Sequence, residues 1–266
     1  MDNMSKAISL RMDLKRAVRY ALLTAAAVFC GAPEADAASV NLGTAANFGV
    51  LGGSTVTSTG ATVITGDLGV SPGSAITGFP PGLVNGTIYA GGAVAVQAQS
   101  DAVIAYNTLL AFAGAVDLTG QDLGGLTLTP GAYKFGTSAQ LTGILILDGQ
   151  GLINPGFVIQ VGSTFTTASA SSVLLINGAN YDNVFFQVGS SATLGAGTDF
   201  SGNIIALTSD TLNAGATVNG RVIALNGSVT LNGNTIIAVP EPASAALLVS
   251  GLTLLLATRR RTKTVV

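Results

Sequence analysis

The chain of 266 residues predicts a mainly β fold, a β-solenoid with one long α-helix packed along a face. Two repeats predict the solenoid. Gly202-Asn203-Ile204-Ile205-Ala206-Leu207 returns eighteen residues later as Gly220-Arg221-Val222-Ile223-Ala224-Leu225. Thr193-Leu194-Gly195 returns as Thr211-Leu212-Asn213 after eighteen residues, and as Thr230-Leu231-Asn232 after nineteen. A β-rich period of about 20 residues suits one coil, in which the chain climbs one inter-strand step of about 4.7–4.9 Å and equivalent residues stack in columns. The helix is predicted by residues 93–113, which contain no Gly or Pro and lie between Gly91-Gly92 and Gly114.

The elements follow in chain order. Lys15, Arg16 and Arg19 lead into the apolar run 20–29, and Ala35-Asp36-Ala37 follows. A charged start, a short apolar middle and an A-x-A end predict a secretory signal peptide over 1–37. Cys30, the only cysteine, falls inside it, and Phe29 is too bulky for a lipoprotein pattern. The domain 38–238 therefore has neither disulfides nor thiolate metal sites. Residues 40–90 alternate short strands with turns such as Val70-Ser71-Pro72-Gly73. In the helix, Val96, Val103 and Leu110 form a stripe at seven-residue spacing with Tyr106 beside it.

From 126 to 237 the strands are of two kinds. Ile144–Leu147, Val173–Ile176, Val184–Phe186 and Val222–Leu225 are apolar throughout. Burial on both sides is expected of them, with the helix as outer cover. Thr211-Leu212-Asn213 and Thr217-Val218-Asn219 alternate, sending Leu212 and Val218 inward and the polar residues out. The repeat places Thr193, Thr211 and Thr230 in one outward column. It places Thr198, Thr217 and Thr235 in a second, with Asn219 alongside. Gly60-Ala61-Thr62-Val63 copies Gly215-Ala216-Thr217-Val218, which assigns Thr62 to the second column. After Val239 come Pro240-Glu241-Pro242, an uncharged span over 243–257, and Arg259-Arg260-Arg261. At about 1.5 Å per residue this span is short of the ~30 Å hydrocarbon core, which predicts a transient anchor with its basic end in the cytoplasm.

The domain carries eight aspartates against Lys134 and Arg221, a net charge of −6. That argues against nucleic acid and anionic membrane surfaces as partners. The domain has no His, Cys or Glu, which removes most acid–base, thiol and imidazole–metal chemistry. Paired aspartates could still hydrolyse glycosides. Asp199 and Asp210 are expected at turns, however, capping their own backbone, and Asp67 and Asp148 likewise beside glycines. An enzyme is the weakest class, and no cofactor or metal is expected.

Several motifs resemble the ice-binding-protein-like family once called DUF3494. They are Gly66-Asp67-Leu68-Gly69-Val70-Ser71-Pro72-Gly73, Ile76-Thr77-Gly78-Phe79-Pro80-Pro81-Gly82, Ala105-Tyr106-Asn107, Leu128-Thr129-Pro130-Gly131-Ala132-Tyr133, Phe186-Gln187-Val188-Gly189-Ser190 and Gly215–Arg221. The resemblance covers roughly 40–238. It implies a right-handed, discontinuous β-solenoid of triangular section, with one helix along a face and an ice crystal as partner. The tail resembles the PEP-CTERM sorting segment, which implies export, an exosortase-type partner acting near Pro240–Pro242, and a cell-surface or extracellular destination.

Family members often carry Thr-Ala/Gly-x-Thr/Asn on a flat face. Thr59-Gly60-Ala61-Thr62 fits, whereas Gly195–Thr198, Ala214–Thr217 and Asn232–Thr235 keep only the final Thr. The ice-binding candidates are thus Thr59, Thr62, Thr193, Thr198, Thr211, Thr217, Asn219, Thr230 and Thr235. The alternative function is a surface or matrix scaffold, an adhesin without ice affinity. Extracellular polysaccharide is the partner considered for it, although the domain lacks the tryptophan that glycan binding favours.

Overall fold

The computed structural model describes residues 40–238, so the signal-peptide and sorting-tail expectations lie outside the described residues. Short aliphatic strands separated by glycine and asparagine corners build three parallel sheets, A with nine strands, B with seven and C with eight. A full coil gives one strand to each sheet. One coil runs Val184–Val188 on A, Ala192–Leu194 on B and Asp199–Ser201 on C. The next runs Asn203–Ala206, Asp210–Leu212 and Thr217–Asn219. Ile204 pairs with Val222 and Ile205 with Ile223, so the eighteen-residue repeat is one step of the ladder. Alternate residues point inward to a core in which Phe165, Phe186 and Phe200 stack, with centroids 5.0 Å and 4.9 Å apart along the series.

Chain order and spatial order differ at one place. Phe48–Gly52, Thr55–Thr59 and Val63–Thr65 stack upon the last coil, Val222–Ala224, Val229–Asn232 and Thr235–Ile237. The solenoid is therefore discontinuous. Helix α1 (Gly92–Leu110) returns the chain along sheet A to the opposite edge, where Val116–Asp117 begins the climb. Arg221, 3% exposed, fastens the junction. Its Nε donates to the Ala46 carbonyl at 2.8 Å, and one terminal nitrogen donates to Asp182 at 2.7 Å and Asn203 at 3.0 Å.

The helix lies where expected, and the side it buries is not the one that carries the Val96, Val103 and Leu110 stripe. Val96, Val103 and Leu110 are exposed, while Ala95, Ala98, Ala102, Ala105, Tyr106 and Leu109 are buried. The small face wins because the outer side of sheet A already carries Leu51, Val158, Phe185, Ile205 and Ile223. Against those large side chains, alanines let the helix approach closely, and a second large row would overpack. Gln160 Nε2 on sheet A then caps the helix end, donating to the carbonyls of Leu109, Leu110 and Phe112.

Two further expectations need correction. Ile144–Leu147 and Val173–Ile176 belong to sheet C, which α1 does not cover, and Ile144 and Leu174 are exposed. Only the apolar runs of sheet A lie beneath the helix. Among the aspartates, Asp148 caps the Gln150 N–H as expected, whereas Asp67 accepts from Thr87 in the neighbouring coil. Asp199 begins a strand and accepts from the Thr217 hydroxyl.

Asp210 faces the core, fully buried, and neither carboxylate oxygen has a hydrogen-bond partner. Burial pushes its pKa well above the usual carboxylate range. Stability from such a group is fullest below the unfolded pKa of about 3.9 and is lost as pH rises towards the folded value. Val229 and Val56 continue its column, so Asp210→Val fits. An unpaired buried polar group costs about 1–3 kcal/mol. The variant should therefore melt higher at neutral pH, by roughly 2–4 °C per kcal/mol, with a smaller gain at about pH 3. Calorimetry at both pH values checks this, and a lower neutral-pH melting temperature would contradict it.

Candidate functional site

On a strand whose inner side fills a core, the residues between the inward positions are free for another task. On sheet B these outward positions are nearly all hydroxyls. The register runs Thr166 to Thr193, Thr193 to Thr211 and Thr211 to Thr230. It continues across the junction from Thr230 to Thr57 and from Thr57 to Thr77. Six threonines thus form one unbroken row, about 24 Å long at 4.7–4.9 Å per step. Gln140 extends it by pairing with Thr166. Ser191, Ser209, Ser228 and Thr55, all partly exposed, precede the row on the same strands or corners. Thr59 pairs with Asn232 beyond it, and both are exposed.

No charged side chain lies among the six threonines: Asp210, the only charged residue in the strands of sheet B, points inward, and Asp122 stands beyond Gln140 at the far end. β-branching confines each threonine to few rotamers, so the row is ordered before any ligand arrives. Sheet C is a different surface. Thr217 and Thr235 pair there, but their column continues to Asp199 on one side and Val63 on the other. Asn219 lies beside Ile237 on the same sheet, and the Thr217 hydroxyl is taken by Asp199 at 3.0 Å.

The structure therefore divides the sequence candidates. Thr193, Thr211 and Thr230 share one row, with Thr59 on the same sheet. Thr217, Asn219 and Thr235 are on sheet C. Thr62 and Thr198 reach no surface, both being fully buried at the corner between B and C. The predicted second column fails by one residue, because Asp199 rather than Thr198 pairs with Thr217 and Val63 rather than Thr62 pairs with Thr235.

The cause is corner geometry. Gly60 and Gly215 both take positive φ, near +75° and +70°, but they occupy successive positions of equivalent corners. Aligning their motifs therefore shifts the register. The buried hydroxyls instead satisfy the turn: Thr198 Oγ1 lies 2.8 Å from Thr167 Oγ1, and Thr62 Oγ1 accepts from Ser58 at 2.7 Å.

Thr57, Thr77 and Thr166 are missing from the sequence candidates. For Thr166 the signal was Phe165-Thr166-Thr167, an in-out-in alternation hidden by the longer, 26–27-residue coils in that region. Thr57 and Thr77 join only through the junction, which local periodicity does not encode.

Comparison with known proteins places this geometry. The family model described as ice-binding-like matches residues 50–237. The chain is 56% identical to an ice-binding protein of Nostoc sp. (strain HG1), over 91% of this chain and 96% of that protein. The fold is similar to the crystal structure of an ice binding protein from an Antarctic biological consortium, at TM-score 0.73 and 49% identity, covering 74% of this chain and 90% of that one. It is also similar to the ice-binding protein of the Antarctic ascomycete Antarctomyces psychrotrophicus, at TM-score 0.74 and 40% identity, covering 76% and 100%. The three-sided parallel coil, the returning helix and a model match spanning nearly every described strand agree on one conclusion: the chain belongs to the ice-binding-like family.

Proposed function

We propose that this protein binds ice through the outer face of sheet B. The observation that carries the proposal is the uninterrupted, uncharged row Thr166, Thr193, Thr211, Thr230, Thr57 and Thr77. An ice surface offers no charge to pair with, so recognition depends on hydroxyls and methyls held at regular spacing on a stiff plane. Immobilising a flexible side chain costs about 0.5–1.5 kcal/mol on binding, and β-branched residues on a packed sheet have little of that freedom left to lose. Adsorbed molecules then hold back the crystal front. The relatives named as ice-binding proteins support the same ligand.

Of the sequence candidates, Thr193, Thr211, Thr230 and Thr59 belong to this face, while Thr62 and Thr198 are set aside as buried. We assign the protein no catalytic role. Export is part of the proposal, supported by the leader over 1–37 and by Pro240-Glu241-Pro242 with Arg259, Arg260 and Arg261, which suit an exosortase-type partner.

Protein recovered from outside the cell, added at micromolar concentration to a frozen polycrystalline sample, should halt recrystallisation. Unrestrained grain growth would leave the scaffold or adhesin as the standing alternative. Retention in the cytoplasm with residues 1–37 intact would overturn the export half.

A further inference from the structure

Five Asn-Gly pairs lie among the described residues: Asn85-Gly86, Asn177-Gly178, Asn219-Gly220, Asn226-Gly227 and Asn232-Gly233. Each dipeptide can deamidate by the same step. The glycine amide nitrogen attacks the asparagine Cγ, forming a new bond as the bond between Cγ and Nδ2 breaks. Ammonia departs with the amide proton and leaves a succinimide. Water then opens that ring at either carbonyl, giving aspartate or isoaspartate.

The fold makes the five pairs unequal. The nucleophilic N–H is tied to a neighbouring coil at Gly220 (Ile237 carbonyl, 2.9 Å), Gly227 (Thr208 carbonyl, 2.6 Å) and Gly233 (Thr59 carbonyl, 2.8 Å). At Asn177 the side-chain amide is tied instead, donating to Asp148 at 2.8 Å. Asn85-Gly86 has neither restraint. Gly86 N–H donates to no acceptor among the described residues, the Asn85 amide is equally free, and both residues are exposed.

Topology explains the difference. Leu83–Asn85 is the edge strand of sheet C, with no coil stacked beyond it. Asn85 and Gly86 also line an open cleft of about 300 Å³ with Asn47, Thr65 and Asp67, where water can reach the ring.

We propose that Asn85 is the site at which the folded protein deamidates first. The product sets a new carboxylate in the cleft that Asp67 already lines. Isoaspartate would also lengthen the backbone where Gly86 lies tightly against the Gly66 carbonyl. The terminal coil would loosen, and with it Thr77, the last member of the hydroxyl row.

The test is ageing of the full-length protein at mildly alkaline pH below its melting temperature, followed by peptide mapping with mass detection. Asn85 should convert about tenfold faster than each of the other four, a barrier difference of ~1.4 kcal/mol. In denaturant the five rates should converge. A native Asn85 rate no greater than the others overturns the proposal, and so does an Asn85 lead that persists unchanged in denaturant.

Discussion

Thr211→Tyr is expected to abolish most ice-binding activity while the protein stays folded. Thr211 sits within the row, with Thr193 and Thr230 as its paired neighbours on either side. Its side chain points outward and is only partly buried, so a larger residue need not disturb the core. A phenol ring standing above the plane would keep neighbouring coils, only about 4.7–4.9 Å away, from meeting a flat lattice together. A loss of at least about tenfold, ~1.4 kcal/mol of adsorption energy, is the expected size. Thr217→Tyr is the matched control, because it places the same ring on sheet C. It should leave activity within about twofold, since it removes no contact that the proposed face makes. Recrystallisation assays on both variants, with circular dichroism to verify folding, decide the matter. Activity retained by the first and lost by the second would move the site to sheet C.

The second large effect concerns stability. Arg221→Met should destabilise the fold by about 3–5 kcal/mol, the cost of removing one partner from a buried ion pair. At roughly 2–4 °C per kcal/mol, the melting temperature should fall by about 6–20 °C. The Arg221 and Asp182 side chains are 4% and 21% exposed, so added salt should screen the pair little. The arginine also holds the Ala46 carbonyl, so its loss weakens the seam where amino-terminal strands meet the last coil. Asn203, stacked one coil below, would lose a partner as well, although its amide still donates to the Tyr181, Asp182 and Val184 carbonyls. Asp182→Asn should cost less, because the amide oxygen still accepts from the guanidinium. Thermal unfolding of the two variants checks the order, and an unchanged melting temperature for Arg221→Met would show that the seam is held elsewhere.

This arginine shows how far local pattern carries. The repeat that superposes Gly202-Asn203 on Gly220-Arg221 already implied that Asn203 and Arg221 are stacked. It could not reveal Ala46 or Asp182, because neither belongs to the repeat. The helix teaches a similar lesson. Its extent was legible from the absence of Gly and Pro, to within three residues at its end. Its buried side was not, because the Val96, Val103 and Leu110 stripe and the alanine stripe are both apolar. The choice between them was made by the bulk of the sheet beneath.

By itself, the sequence determined the eighteen- to nineteen-residue length of the last coils, the strands of those coils, the helix span and the row Thr193, Thr211 and Thr230. Each of these follows from spacings within one or two turns of the solenoid, where a fixed climb per coil converts sequence distance directly into position. Only the tertiary structure decided that Thr57 and Thr77 complete the row, that Thr62 and Thr198 turn into the corner, and that one Asn-Gly pair stands unrestrained at the edge. Those outcomes depend on which coil stacks on which and on a single residue gained or lost at a corner. Such facts arise from packing between distant segments, and a local repeat has no means of recording them.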